Sequence, residues 1–215
     1  MMTIQQVPQA LLFDSNIFLV FGEKKVALID TGTGFQSDAN ISDIDALLDG
    51  RKLDLVFLTH RHYDHVGGLS KIIDRYQPMV YAGEKDADPL IAGDSDSTMG
   101  VAFGGSIPQM NVTPVRDGDE FDLGGHVLRI IETPGHTIGS ICLLDVESGA
   151  LFSGDTFFVD GVGRTDLPTG SLSDLKASLL KLRNIKFNGL FSGHGPVVKD
   201  GGMKFLEKAI NQMGL

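Results

Sequence analysis

One cysteine, Cys142, stands in the 215 residues. No disulfide within the chain is possible, so stability has to come from an apolar core. A lone thiol suits a reducing compartment, and the expected location is cytoplasmic. Cys142 lies in the apolar run Ser140–Ile141–Cys142–Leu143–Leu144 and reads as a small buried hydrophobe. The opening segment Met1–Met2–Thr3–Ile4–Gln5–Gln6 lacks a basic region and a long apolar stretch, so no signal peptide is expected. No run approaches the ~18 apolar residues of a membrane span, so no membrane partner is expected. Positive charge is scarce: 18 Lys and Arg face 28 Asp and Glu, for a net charge of −10, and the bases do not cluster. A polyanion binder needs a basic face to displace counterions, which argues against nucleic acid as a partner.

The chain does contain the makings of a globular core, with 42% hydrophobic and 21% charged residues. Its length suits one domain over residues 1–215, built from two similar halves, with no linker or low-complexity tract. Short apolar runs predict strands at Ala10–Phe13, Asn16–Phe21, Lys25–Ile29, Asp54–Leu58 and Met79–Ala82. Ile41, Ile44, Leu47 and Leu48 recur at helical spacing, as do Val66, Leu69, Ile72, Ile73 and Tyr76, the latter helix stopping before Pro78. Gly83–Gln109 is rich in Gly, Asp and Ser and predicts an inserted loop with a short helix. Further strands are predicted at Val112–Val115, Glu120–Leu123, Val127–Glu132, Ser140–Leu144 and Ala150–Ser153. Two helices follow, with stripes Leu172–Leu175–Leu179–Leu182 and Met203–Leu206–Ile210–Met213; Ser171 and Asp174 have capping-box-like spacing at the start of the first. This order predicts an α/β fold with two sheets packed face to face and helices outside.

Chemistry concentrates in the histidines. Three of the six fall within His60-x-His62-x-Asp64-His65, directly after a predicted strand. Alternate residues of an extended chain point the same way, so His60 and His62 can face one cation, while Asp64 and His65, at the turn into a helix, reach a neighbouring point. Imidazole and carboxylate suit zinc, with iron or manganese as alternatives. Three other segments share a context: His136 in Thr133–Pro134–Gly135–His136–Thr137, Asp155 in Phe152–Ser153–Gly154–Asp155–Thr156, and His194 in Phe191–Ser192–Gly193–His194–Gly195. Each follows an apolar run and a Gly, which lets backbone crowd near a site. The sixth histidine, His126, matches no such pattern and reads as structural.

The Leu28–Ile29–Asp30–Thr31–Gly32 segment, the His-x-His-x-Asp-His block and the His136, Asp155 and His194 segments, in this order, resemble the metallo-β-lactamase superfamily over nearly the whole chain. The resemblance implies a four-layer αββα sandwich and a centre of two divalent metal ions. His60, His62 and His136 would hold one ion, Asp64, His65 and His194 the other, and Asp155 would bridge them. Asp64 and Asp155 would be its catalytic carboxylates. Asp30 would either orient a ligand imidazole or simply form a turn.

Gly161–Val162–Gly163–Arg164–Thr165–Asp166 resembles the glyoxalase II group and its relatives, the persulfide dioxygenases. Arg164 would orient the site or contact substrate, or else pair with Asp166. Glyoxalase II proper carries a further helical region that supplies bases to glutathione; after His194 this chain has only Lys199, Lys204 and Lys208. The expected activity is thioester or ester hydrolysis on a small molecule, by a water activated between the two ions. An iron-dependent sulfur dioxygenase is the alternative. Substrate selection is expected from Gly83–Gln109 and from the segment holding Phe157, Phe158 and Arg164.

Overall fold

The computed structural model describes residues 4–9 and 11–215. Six strands, β1 (Ile4–Val7), β2 (Ile17–Phe21), β3 (Val26–Ile29), β4 (Leu55–Leu58), β5 (Met79–Gly83) and β6 (Thr113–Val115), form one sheet in sequence order. β1 to β3 run antiparallel and β3 to β6 parallel. A second sheet holds β7 (Glu120–Asp122), β8 (Val127–Glu132), β9 (Ile141–Asp145), β10 (Ala150–Gly154) and, parallel beside β10, β13 (Gly189–Ser192). The hairpin β11 (Phe157–Phe158) and β12 (Gly161–Val162) stands apart as a small two-stranded sheet. The helices are α1 (Ser37–Leu48), α2 (Tyr63–Val66), α3 (Leu69–Tyr76), α4 (Glu84–Ala92), α5 (Leu172–Arg183) and α6 (Met203–Gln212). Among the described residues no helix is long and apolar enough to cross a membrane.

Strand periodicity explains the layering. In β4, Leu55 and Phe57 face the second sheet, whereas Val56 and Leu58 face helices. Both faces are covered, so strands such as β2 and β4 are buried along their whole length and read as unbroken apolar runs. Three cores result. Ile44, Leu48, Leu69, Ile72 and Leu90 seal the outer face of the first sheet. Phe18, Phe57, Leu143, Phe152 and Phe191 fill the space between sheets. Leu179, Leu182, Leu206 and Ile210 seal the outer face of the second, against Cys142 and Leu151. The architecture is the αββα sandwich expected from the sequence.

Several local expectations change. Ala10 lies outside the described residues, and Leu11–Phe13 form a turn rather than a strand, closed by Asp14 N donating to Leu11 O. The apolar character misled there because Leu12 is 97% exposed. The helix expected from Val66 to Tyr76 breaks at Gly67–Gly68, where the Thr31–Gly34 loop crosses it. A Cβ on Gly67 would lie 2.3 Å from Thr33 O, and one on Gly68 would lie 2.2 Å from Thr31 O. Gly83–Gln109 opens with the nine-residue α4, whose Ala87 and Leu90 enter the core, before the chain becomes irregular. Ser171 caps α5 by accepting from Asp174 N at 3.3 Å, an arrangement worth about 1 kcal/mol. Leu172 nevertheless lies off the buried stripe of α5.

Candidate metal centre

The carboxyl ends of β3, β4, β8, β10 and β13 gather at one edge of the sandwich, and each delivers one part of the site. The loop after β4 carries His60 and His62, and α2, directly after it, carries Asp64 and His65; the loops after β8, β10 and β13 carry His136, Asp155 and His194. The structure brings these seven side chains together. Ligand atoms of His60, His62 and His136 lie within 4.8 Å of one another, as do those of Asp64, His65 and His194. In the first trio the ring centroids stand 4.6 to 4.8 Å apart, and His62 Nδ1 lies 2.9 Å from His136 Nε2. In the second, His194 Nε2 lies 3.0 Å from Asp64 Oδ2 and 3.3 Å from His65 Nε2. Asp155 stands between the trios: its Oδ2 is 3.7 Å from both His136 Nε2 and His194 Nε2, and its Oδ1 is 3.3 Å from His65 Nε2.

The donor set fits two divalent cations. His60 Nε2 and His62 Nε2 are buried in this cluster with no hydrogen-bond partner, a costly arrangement unless something else satisfies them. Burial, reinforced by the surrounding imidazoles, holds the His60 pKa well below its usual value and pushes that of His62 down to about 3. Both rings are therefore neutral, with lone pairs available to a cation. Burial also works against ionisation of Asp155, but His65, His194 and His136 outweigh it and hold its carboxyl below the usual carboxylate range. Asp64 follows the same balance, with His65 and His194 prevailing over burial. Burial likewise opposes the charged form of His65, yet Asp30, Asp155 and Asp64 raise its pKa well above the usual imidazole value.

Partners behind the cluster aim these rings. Asp30, buried and in the left-handed backbone region at φ 60°, places Oδ2 2.8 Å from His65 Nδ1. It also accepts from Thr59 N and Thr59 Oγ1, both at 2.8 Å. Arg164 contributes its main chain: its carbonyl lies 2.8 Å from His136 Nδ1, leaving Nε2 towards Asp155. Its guanidinium donates to Asp166 at 2.9 and 2.8 Å. Gly193 leaves the room His65 and Asp155 need, since a Cβ there would lie 2.3 Å from Asp155 Oδ1.

Other supports carry no signal in the sequence pattern. Asp86 accepts from Arg61 N and Nε (3.0 and 2.7 Å), Thr137 Oγ1 (2.5 Å) and Gly139 N (3.1 Å). It thereby ties the His60–His65 loop to the His136 loop. Asn16 pins the His194 loop by donating to Ser192 O and Gly195 O. His126 lies outside the cluster and pairs with Asp145 at 2.7 Å, while Glu147 accepts from Val127 N; that group closes a hairpin.

A cavity of about 420 Å³ opens over the centre, lined by His62, Asp64, His136, Asp155 and His194 on one side. Met99 and Phe103, from the irregular stretch after α4, and Phe158, Val162 and Leu167 line it as well. Phe157, expected beside Phe158, instead turns into the core and packs on Phe187.

The chain belongs to the metallo-β-lactamase superfamily, whose model matches residues 11–194. It is 34% identical over 191 residues to a probable metallo-hydrolase of Methanocaldococcus jannaschii, covering 86% of this chain and 89% of that one. It is 33% identical over 198 residues to a hydroxyacylglutathione hydrolase of Ruegeria pomeroyi, covering 90% of this chain and 67% of that one. An archaeal metallo-β-lactamase superfamily protein of Sulfolobus tokodaii superposes with a TM-score of 0.79 at 25% identity, over 99% of this chain and 86% of that one.

Proposed function

We propose that this protein is a metal-dependent hydrolase that cleaves a thioester or ester, functionally akin to the glyoxalase II branch. The observation that carries the reading is the position of Asp155 between two trios of donors, 3.7 Å from a histidine of each. His60, His62 and His136 would hold one cation, Asp64, His65 and His194 the other, and Asp155 would touch both. Nitrogen and oxygen donors suit zinc, and iron or manganese as well. Bound there, two divalent cations would supply a water with its pKa lowered to about 7 and a Lewis acid for the substrate carbonyl.

The chain's own residues do the positioning. Asp30 and the Arg164 carbonyl set the tautomer and tilt of His65 and His136. The apolar wall of the cavity keeps bulk water from one side of the bound carbonyl. A thiolate leaves readily because a free thiol has a pKa of about 8.5, so a thioester needs no strong acid beside it. The resemblance of the Gly161–Asp166 segment and the hydroxyacylglutathione hydrolase relative support the thioester assignment.

A second reading is an iron-dependent sulfur dioxygenase. One observation favours it: His136 Nε2 stands 3.7 Å from Asp155 Oδ2, so two histidines of the first trio with Asp155 would supply two imidazoles and one carboxylate, the donor combination of non-haem iron oxygenases. Elemental analysis of purified protein, paired with a thioester and lactone panel, separates the two. Two equivalents of metal and oxygen-independent cleavage, lost on EDTA treatment, are expected. One iron per chain with oxygen uptake on a persulfide would replace the hydrolase reading with the dioxygenase.

A further inference from the structure

We infer, on the basis of the proposed thioester or ester chemistry, that the acyl part of the substrate is an apolar, uncharged chain held by Met99, Phe103, Phe158 and Leu167. The wall facing the metal ligands is built from these side chains and Val162. Arg164 is the one Lys or Arg in that lining, and Asp166 already holds its guanidinium through two hydrogen bonds. The remaining charged groups there, Asp64 and Asp155, are acids. A substrate bearing carboxylates would find no free cation on this wall and would lose hydration without compensation. An alkyl chain loses nothing there and gains burial.

The loop that carries Phe103 is anchored on further aromatic rings. Phe103 packs on Tyr63 (5.6 Å between centroids), Tyr63 on Phe35 (5.8 Å) and Phe35 on Phe13 (6.3 Å). Phe35 and Phe13 are 45% and 48% exposed, and Val101 on the same loop as Phe103 is 61% exposed. Tyr63 is buried, so this row of rings holds the Phe103 loop in place rather than lengthening the surface open to a ligand. Gly105 lies against the Tyr63 ring, where a Cβ would come within 2.1 Å of its hydroxyl, and this contact fixes the loop that presents Phe103.

The test is a series of acyl thioesters of one small neutral thiol, from acetyl to octanoyl, beside a glutathione thioester, on protein of known metal content. The expected result is a kcat/KM that rises about fourfold per methylene until the cavity is filled, with the glutathione thioester a poor substrate. Phe103→Ala and Leu167→Ala each lower the octanoyl-to-acetyl ratio by about tenfold or more without changing metal content. Octanoate, and not acetate at equal concentration, raises the Tm of the metal-loaded protein, a readout that needs no turnover and is blunted in both variants. A rate independent of chain length, a glutathione thioester cleaved fastest, or no octanoate shift overturns the inference while leaving thioester hydrolysis standing. If no ester or thioester is cleaved at full metal loading, the hydrolase reading itself falls, and this substrate assignment falls with it.

Discussion

Asp30 Oδ2 lies 2.8 Å from His65 Nδ1, and the same carboxylate accepts from both the main chain and hydroxyl of Thr59. One buried acid at the end of β3 thus holds the ring and the strand end from which the other histidines depart. The sequence left Asp30 open between a turn former and an orienting group, and both descriptions apply: its backbone is left-handed, and its side chain faces His65. Asp30→Asn keeps a residue that tolerates that backbone while removing the charge. Metal affinity should fall about 10- to 100-fold, read by competition with a chelator of known affinity. Unchanged affinity would show that the contact is only a feature of the turn.

Asp155→Ala should abolish hydrolysis and lower metal content together. The side chain lies between the two trios, so its loss removes a carboxylate within reach of both. Elemental analysis and the thioester assay on the same preparation check this. A fully metallated, active variant would remove Asp155 from the centre.

Asp86 makes no contact with the candidate ligands, yet it should be among the most costly residues to remove. It pairs with Arg61 in the interior, where the two side chains are 0% and 7% exposed. Asp86→Ala leaves a buried guanidinium without its anion and frees Thr137 and Gly139. The expected loss is about 3–5 kcal/mol in urea unfolding. Adding Arg61→Met should restore part of that loss, because the stranded charge is then gone. A double variant no more stable than Asp86→Ala would assign the cost to the Thr137 and Gly139 contacts instead.

Cys142 should be silent in the folded protein. Burial, only partly offset by contacts to Thr133 and Thr156, pushes its thiol up to about 11. At pH 8 the thiolate fraction is then on the order of one in a thousand. A disulfide dye should label no thiol at that pH until denaturant is added, and then one per chain. Rapid labelling of native protein would mean that the sheet-to-helix core around Cys142 opens readily.

Much of the architecture was legible because its strands are sandwiched between layers. Runs such as those of β2, β3 and β4 are apolar throughout and bounded by turn residues. The errors fall where apolar content and burial part company. Leu12 is apolar and exposed, so Leu11–Phe13 read as a strand and forms a turn. Conversely, β1 carries only two apolar residues in Ile4–Val7 and is held by pairing with β2 rather than by pattern. The helix broken at Gly67–Gly68 could not be divided in advance, since the break answers a loop that arrives from residues 31 to 34.

The sequence by itself determined which side chains could bind a cation and that they follow strands, because ligand chemistry and strand periodicity are local properties. The six histidines, the spacing of His60 to His65 and the Gly-flanked His136, Asp155 and His194 are all visible in one dimension. Only the tertiary structure decided how these groups stand to one another and what supports them. Residues as distant as Asp64 and His194 meet at 3.0 Å because parallel and antiparallel strands end at one edge. The same packing turned Phe157 inward and Phe158 outward, joined Arg164 to the site through its carbonyl, and made Asp86 the tie between two loops. These are properties of direction and contact, which a chain acquires only when its layers close.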